Sequence, residues 1–294
     1  MKPSDVAIAI LIPLIWGLGF GLAKAGLGHF PPIFLIACRY ALSALVLVWF
    51  ATPPPRALLK RIALVSVLAT TVTYSFIYTG LKGVDASTAG IIVEIEIPMA
   101  AIMAALLLKE RLGWRRIGGM VLAFTGVLFI MGEPRVQENI HYVLILFAGT
   151  VCWSLSQVLI RSLGQVGGFT LITWMAIFAT PQLFIASYLI EGPQWDALAN
   201  AGWQGWGVLL YLGFIMNALG YAMWYHLLGR HPVNVVMPYQ LLVPVATVTT
   251  GVLILGETMT WLIAIGGVIV IAGVAVITIE RPTRAPSAPP AATS

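Results

Sequence analysis

Hydrophobic residues occur along the chain in ten long runs that are separated by short polar segments. The runs cover about residues 5–23, 33–51, 62–80, 87–108, 115–132, 142–160, 169–190, 204–227, 233–255 and 261–279. Each run is close to the roughly 20 apolar residues that a helix needs to cross a bilayer. Because the runs are continuously apolar rather than alternating, they exclude a transmembrane β-barrel. The pattern predicts an all-α integral membrane protein with ten transmembrane helices.

The composition agrees with a membrane protein. Hydrophobic residues make up 60% of the chain and charged residues 9%, whereas soluble proteins have roughly 45–50% and about 25%. The mean hydropathy is +0.95. The linkers between the runs are short and contain no soluble domain. Cys38 and Cys152 both fall inside runs, so we expect them to pack as free thiols rather than to form a disulfide.

The second half of the chain repeats the first. A shift of 147 residues aligns Tyr78 with Tyr225, Glu110 with Glu257, Trp114 with Trp261, Gly119 with Gly266 and Gly126 with Gly273. Pro98 aligns with Pro244 after a slip of one residue. We therefore predict two five-helix repeats, over residues 1–137 and 138–280. A disordered cytoplasmic tail is predicted at 281–294, which has too little apolar content to fold.

Lysine and arginine residues are distributed unevenly between the two ends of the predicted helices. Of the 16, twelve fall on the side that carries the N-terminus and four on the other side. Since basic residues collect on the cytoplasmic side, both termini are predicted to be cytoplasmic. Each repeat has an odd number of helices, so the second must enter the membrane upside down, as an inverted-topology repeat. The net charge of +5 is therefore an orientation signal and does not predict a nucleic-acid partner.

Two carboxylates and a proline interrupt the fourth run. Glu94, Glu96 and Pro98 lie near its centre, where a charged side chain is costly unless it faces a cavity or a partner. Pro98 has no N–H for the carbonyl of Glu94, so we expect a bend with an unpaired carbonyl. The ninth run carries Pro244, with Gln240 four residues before it. Two broken helices that each open beside a polar side chain are typical of a substrate site inside a membrane.

Glu94 and Glu96 are two residues apart, which corresponds to about 200° around an α-helix. We therefore predict that only one of them faces the cavity. Glu94 is favoured, because it lies a full turn before Pro98 and aligns with Gln240, whereas Glu96 aligns with the apolar Leu242. A buried protonated pair with a purely structural role is the alternative.

Aromatic and amide side chains recur at helical spacing inside several runs, as Asn217 and Tyr221 do in the eighth. Such stripes predict a cavity lining, with helix packing as the alternative. The predicted substrate-binding residues are Trp16, Tyr74, Tyr78, Glu94, Glu96, Trp153, Gln157, Asn217, Tyr221, Tyr239 and Gln240. This lining suits a ligand with an apolar or aromatic body and a small polar head. Arg39, in the second run, either extends to the outer interface or pairs with a carboxylate.

Sequence signatures of catalysis and of cofactor binding are absent. The histidines show no metalloprotease spacing and the chain has no Walker loop, so ATP is not the predicted energy source. We predict no catalytic residue, no metal and no cofactor, with an intramembrane enzyme as the rival class. A channel is disfavoured, because a ring of like groups needs matching copies, whereas Glu94 aligns with Gln240.

Each repeat contains a proline, an apolar run, a glutamate in the following loop and a glycine-rich last helix. The residues are Pro98, Glu110, Gly118, Gly119 and Gly126 in the first repeat and Pro244, Glu257, Gly266, Gly267 and Gly273 in the second. This pattern, with Arg39-Tyr40, resembles the EamA family of the drug/metabolite transporter superfamily, although Glu94 and Glu96 depart from it. The resemblance implies ten helices, cytoplasmic termini, a central cavity and, commonly, efflux of amino acids or other metabolites. Size and general likeness favour the branch of aromatic-amino-acid exporters called YddG.

These features predict a secondary transporter in a bacterial inner membrane. Its predicted partners are lipid and a small-molecule substrate, and the monomer is the predicted functional unit. Neutral amino acids, aromatic ones included, are the predicted substrates, exported by alternating access, with cationic aromatic drugs as the alternative. Proton coupling through Glu94 or Glu96 and facilitated diffusion both remain open.

Overall fold

A computed structural model describes residues 1–109, 112–164 and 166–279 of the chain. Glu110 and the predicted tail at 281–294 lie outside the described residues. The described residues form ten long apolar helices, as the hydrophobic runs predicted, and the all-α membrane class is confirmed. Nine of these helices have at least 18 residues, and by length and composition alone they can span a membrane. The second helix is shorter, with 16 residues.

The helices are numbered α1 to α10 in chain order. They are α1 (Pro3–Gly26), α2 (Pro32–Leu47), α3 (Arg56–Gly83), α4 (Ala86–Leu108), α5 (Trp114–Met131), α6 (Ile140–Arg161), α7 (Gly168–Glu191), α8 (Gly202–Leu228), α9 (Met237–Ile254) and α10 (Trp261–Thr278). Short helices at Pro134–Glu138, Trp195–Asn200 and Val233–Val236 lie in the connections.

Local sequence explains where several helices begin. Pro32 opens α2 and Pro3 opens α1, positions at which the missing N–H of proline costs nothing. The hydroxyl of Thr260 accepts a hydrogen bond from the N–H of Ile263 at 3.4 Å and caps α10. Half-buried glutamate side chains cap two further helices, α2 and α4.

Large aromatic side chains are exposed at the helix ends. Trp49, Trp114, Trp203 and Trp261 are each at least two-thirds exposed, and they follow α2, open α5, and lie at the starts of α8 and α10. Tryptophan collects at both membrane–water interfaces, where its ring meets the headgroups. The positions of these rings therefore agree with helices that end at the two faces of a bilayer.

Two helices contain π-helical turns at matching positions. The turns occupy Val67–Val72 in α3 and Tyr211–Leu219 in α8. A shift of 147 residues carries the first into the second, so both halves of the chain have the same irregularity. Turns of this kind are rare in proteins, and many of those that occur lie at functional sites.

Helices α4 and α9 are interrupted just before their prolines. In α4, Glu94 and Ile95 form a tight turn between Ala86–Val93 and Glu96–Leu108. In α9, a 3₁₀ turn at Met237–Leu241 precedes Leu242–Ile254. Pro98 and Pro244 are each the third residue of the segment that follows, where proline is tolerated.

The prediction of an unpaired carbonyl at Glu94 is wrong. That carbonyl accepts a hydrogen bond from the N–H of Ile97 at 3.2 Å. The tight turn supplies this donor one residue earlier than an α-helix does, because a 3₁₀ turn bonds residues three apart rather than four. The backbone at the break is thereby satisfied inside the protein.

Helices α5 and α10 pack together through glycine. A Cβ built on Gly126 would lie 2.6 Å from the carbonyl oxygen of Gly266, and one built on Gly119 would lie 2.8 Å from that of Gly273. As the residue number rises along α5 it falls along α10, so the two helices run antiparallel. Small residues at this spacing let membrane helices approach closely.

The other contacts between the halves come in pairs that the sequence repeat relates to one another. Helix α1 packs on α9 and α4 packs on α6, while α3 packs on α6 and α1 packs on α8. Helix α2 packs on its own counterpart α7. If each helix is replaced by its counterpart in the other half, every one of these contacts becomes another contact of the same set. The core between the halves is therefore built from two equivalent sets of helices.

Candidate functional site

A cavity of about 410 Å³ lies between the two halves of the chain. Every helix except α5 and α10 contributes to its wall, which fits the packing of those two helices against each other. The lining residues run from the middle of the helices towards the end at which α7 begins, where Ile160, Leu171 and Met237 border the cavity. We call this end the Gly168 end and the opposite one the Arg135 end.

The structure brings together most of the residues that the sequence predicted for the site. The predicted residues that line the cavity are Trp16, Tyr74, Tyr78, Glu94, Glu96, Trp153, Gln157, Tyr221 and Gln240. Asn217 and Tyr239 are not in the lining. Asn217 is fully buried behind the wall, and Tyr239 packs against the cluster around Ile12 and Leu227.

The backbone is irregular at both of these residues. Asn217 was placed on the cavity face with Tyr221 by α-helical spacing, but it lies in the π-helical turn Tyr211–Leu219. Its side chain accepts a hydrogen bond from Arg39 and donates one to Ser43, and these contacts hold it behind the lining. Tyr239 lies in the 3₁₀ turn that opens α9, where successive side chains are about 120° apart rather than about 100° as in an α-helix. The sequence did not predict either turn.

Glu94 and Glu96 both line the cavity, which corrects the prediction that only one does. The prediction assumed a regular α-helix, in which the two side chains diverge by about 160°. In the observed turn the backbone of Glu94 and Ile95 has ψ of −17° and −15°. A 3₁₀ turn of three residues per turn brings the side chains to about 120° apart. The side chains of Glu94 and Glu96 therefore both reach the cavity, which extends around the break in α4.

Aromatic rings form two related groups on the wall. The Tyr74 ring lies 6.1 Å from that of Trp153, and the Tyr221 ring lies 5.2 Å from that of Trp16. Tyr74 aligns with Tyr221 in the repeat. Trp16 and Trp153 occupy corresponding positions in α1 and α6, the first helix of each half. Each contact joins one half of the chain to the other, so the same aromatic pair occurs twice across the cavity.

Arg39 also lines the cavity, although the sequence did not place it in the site. Its side chain is only 3% exposed, and in the described ranges no carboxylate pairs with it. Both predicted alternatives for Arg39 are therefore wrong. It donates a hydrogen bond from Nη1 to the Tyr78 hydroxyl at 2.8 Å and from Nη2 to Oδ1 of Asn217 at 2.9 Å.

The guanidinium of Arg39 also lies against two rings of the site. The central guanidinium carbon, Cζ, is 5.6 Å from the ring centre of Tyr40 and 5.5 Å from that of Tyr74. Both distances are within the range of a cation–π contact. The signal in the sequence was an arginine seven residues into an apolar run, where a charge is expensive and marks a functional site.

At the Arg135 end, hydrogen bonds join the two halves above the cavity. Arg135 donates from Nη1 and Nη2 to the hydroxyl and the carbonyl of Thr258, both at 2.8 Å. Its contacts with Asp85 and Glu133 are longer, at 3.6 and 3.7 Å. Burial, followed by the nearby Glu257, raises the pKa of the Asp85 carboxyl. Arg135 is therefore held mainly by Thr258.

Two glutamates cap helices of the cavity wall at the same end. The Glu257 carboxylate accepts hydrogen bonds from the N–H groups of Ala86 and Ser87 at 2.6 and 2.9 Å. Glu191 accepts from the N–H groups of Ile33 and Phe34 at 2.7 and 2.9 Å. A carboxylate at a helix N-terminus is stabilised by the unpaired N–H groups and the helix dipole. Glu257, in the repeated motif, thus fixes the start of α4.

Metal ligation has no obvious location in this part of the chain. Among the described residues, no group of three or more His, Cys, Asp or Glu side chains is placed to hold a metal ion. Cys38 and Cys152 are free thiols, the first buried and the second half-buried.

Comparison with known proteins identifies the class. The model of the EamA-like transporter family matches residues 4–132 and again residues 140–279. A Salmonella typhimurium protein named "Probable amino-acid metabolite efflux pump" is 28% identical over 93% of this chain and 94% of its own. The Escherichia coli protein of the same name is 26% identical over the same shares. The uncharacterized transporter YyaM of Bacillus subtilis is 27% identical over 93% of each chain.

A solved crystal structure has the same fold. It aligns with a TM-score of 0.66 at 18% identity and covers 95% of this chain and 97% of its own. The ten apolar helices and the buried polar cavity between them define a multi-pass membrane transporter. The chain belongs to the EamA-like transporter family, as its resemblance to that family indicated.

Proposed function

We propose that this protein exports neutral amino acids, aromatic ones included, from the cytoplasm across a bacterial inner membrane. The observation that carries the proposal is the mixed chemistry of one cavity, which has aromatic walls, a buried guanidinium at Arg39 and carboxyls at Glu94 and Glu96. The names of the Salmonella and E. coli relatives support the same substrate class.

An amino acid matches this lining group by group. Its ammonium suits the carboxyl side of the cavity, its carboxylate suits a guanidinium, and an apolar or aromatic side chain suits the rings of Tyr74 and Trp16. The volume of about 410 Å³ lies in the range of roughly 300–1,000 Å³ that small-ligand pockets have. Sugars and nucleotides would leave the aromatic walls or the charged groups without partners.

Alternating access is the proposed mechanism. The antiparallel α5 and α10 and the repeat-related helix contacts support two inverted repeats, and the breaks in α4 and α9 lie beside the cavity. The lining reaches towards the Gly168 end, while Arg135 and Thr258 join the halves at the other end. The charge bias of the sequence makes the Gly168 end cytoplasmic. The state described is therefore one that loads substrate from the cytoplasm.

The monomer is proposed as the functional unit, because one chain supplies both repeats and encloses the whole cavity. Lipid surrounds it, in agreement with the exposed leucines and tryptophans of the outer helix faces. Export of cationic aromatic drugs is less favoured, since Arg39 repels a second cation at close range.

A matched pair of substitutions in α9 tests whether export passes through this cavity. Val243 lines the cavity, whereas Val245, two residues further on, is 49% exposed on the outer face. Cells fed a phenylalanine-containing dipeptide should release more phenylalanine when they express the wild-type chain than with empty vector. Val243→Trp should abolish the increase, because the indole fills the cavity, and Val245→Trp should retain it. Release unaffected by Val243→Trp would contradict the proposal.

A further inference from the structure

Among the residues that the structure describes, the side chains that bond to Arg39 are neutral. A guanidinium has five N–H donors, and hydrogen bonds to Tyr78 and Asn217 use two of them. Its Nε is buried and has no hydrogen-bond partner in the described part of the chain. Glu94 and Glu96 line the same cavity, but neither comes within ion-pair distance of Arg39 in the structure described. The positive charge is therefore oriented but not neutralised.

A buried arginine with a structural role is normally paired with a carboxylate, because an uncompensated charge is expensive away from water. Here a serine and an asparagine occupy the space behind the guanidinium, with Asn217 donating to the Ser43 hydroxyl at 2.8 Å. Tyr40 and Tyr74 cover it with their rings. This arrangement fixes the plane of the guanidinium and leaves its charge available to a ligand in the cavity.

We propose that Arg39 binds the carboxylate of the substrate. The proposal rests on the proposed function and makes it narrower: the transporter selects for a carboxylate and does not only recognise an aromatic body. The rigid fork of arginine suits a carboxylate. Tyr78 and Asn217 are positioning residues, because each accepts a hydrogen bond from Arg39 and so holds the fork in place.

Phenylalanine and phenylalaninamide make the test, because the amide keeps the ring and the amino group and lacks the carboxylate. In vesicles that contain the wild-type protein, unlabelled phenylalanine should compete with labelled phenylalanine at least about tenfold better than the amide does. A hydrogen bond to a charged group contributes enough for a tenfold change in affinity or more.

Binding to purified variants is measured by ligand-induced thermal stabilisation, which does not depend on transport. Arg39→Gln should lose about tenfold or more in apparent affinity for phenylalanine and keep its affinity for the amide. Asn217→Asp is the second variant, because it conserves size and places a carboxylate 2.9 Å from Nη2. It should have the same selective effect while the protein without ligand stays at least as stable as the wild type. If Arg39 had only a structural role, its replacement would not change the ratio of the apparent affinities for phenylalanine and phenylalaninamide.

Two results would overturn the inference. The first is equal competition by phenylalanine and its amide in the wild type, and the second is an unchanged ratio in both variants. If the wild type exchanges no amino acid at all, the proposed function fails first and the inference fails with it, so the two failures can be told apart.

Discussion

Gly126 of α5 and Gly266 of α10 meet backbone to backbone. A Cβ built on either residue would lie 2.6 or 2.7 Å from the carbonyl oxygen of the other, closer than any side chain tolerates. Gly119 and Gly273 form the equivalent contact on the same pair of helices. These glycines align in the sequence repeat, so one repeated feature forms both sides of the junction between the halves.

The first prediction concerns this junction. Gly119→Ala should lower the free energy of unfolding by about 1–3 kcal/mol, the cost of overpacking, because its Cβ would meet the carbonyl of Gly273 at 2.8 Å. Gly118→Ala is the matched control, since a Cβ there meets nothing within 4 Å. Unfolding of both variants in detergent measures the difference. Equal stabilities would show that α5 and α10 do not pack as described.

The breaks in α4 and α9 are tested by replacing the prolines that follow them. Alanine favours a continuous helix over proline by about 3 kcal/mol, so Pro98→Ala or Pro244→Ala should straighten the helix and reduce amino-acid counterflow by about tenfold, with near-normal expression. Pro181→Ala is the control, because Pro181 lies in the continuous α7 and is exposed. Wild-type transport by both Pro98→Ala and Pro244→Ala would contradict the role of the breaks.

Energy coupling is tested with a pH gradient across the vesicle membrane. Among the cavity-lining residues, Glu94 and Glu96 are the carboxyls, so any gradient-driven flux should disappear when both are replaced by glutamine. Counterflow without a gradient should persist at a reduced rate. Glu138→Gln, on an exposed connection, serves as the control. Gradient-driven flux that survives in the double variant would exclude both residues as proton carriers.

Orientation is tested by cysteine labelling in a chain without Cys38 and Cys152. Single cysteines at Arg135 and Asp196 should react with an impermeant reagent added to intact cells, because the charge bias places both connections outside. A cysteine at Lys60 should react only after the cells are opened. Labelling of Lys60 in intact cells, or protection of either outer position, would contradict the proposed topology.

Hydropathy and the sequence repeat predicted the parts of the structure that depend on averages over many residues. All ten helices fall on the predicted runs, because the length of a span is set by bilayer thickness rather than by any single contact. The glycines of α5 and α10 were predicted as a repeated motif, and the structure shows them at one interface. The number and approximate positions of the helices thus follow from pattern alone.

The errors come from departures from α-helical geometry. Asn217 lies in a π-helical turn and is held behind the wall by Arg39 and Ser43, and both Glu94 and Glu96 reach the cavity because of a 3₁₀ turn. Arg39 was misplaced for another reason: its partners, Tyr78 and Asn217, are 39 and 178 residues away in the sequence. Neither local spacing nor alignment of the repeats predicts such long-range hydrogen bonds.

Counterflow in liposomes tests the central claim, the export of neutral amino acids, most directly. Vesicles that contain the purified protein are loaded with unlabelled phenylalanine, leucine, a sugar or a nucleotide, and then receive a trace of labelled phenylalanine outside. The label should accumulate transiently in the vesicles loaded with amino acids and not in those loaded with sugar or nucleotide. Exchange of labelled sugars or nucleotides in the same vesicles, with no exchange of any amino acid, would contradict the claim.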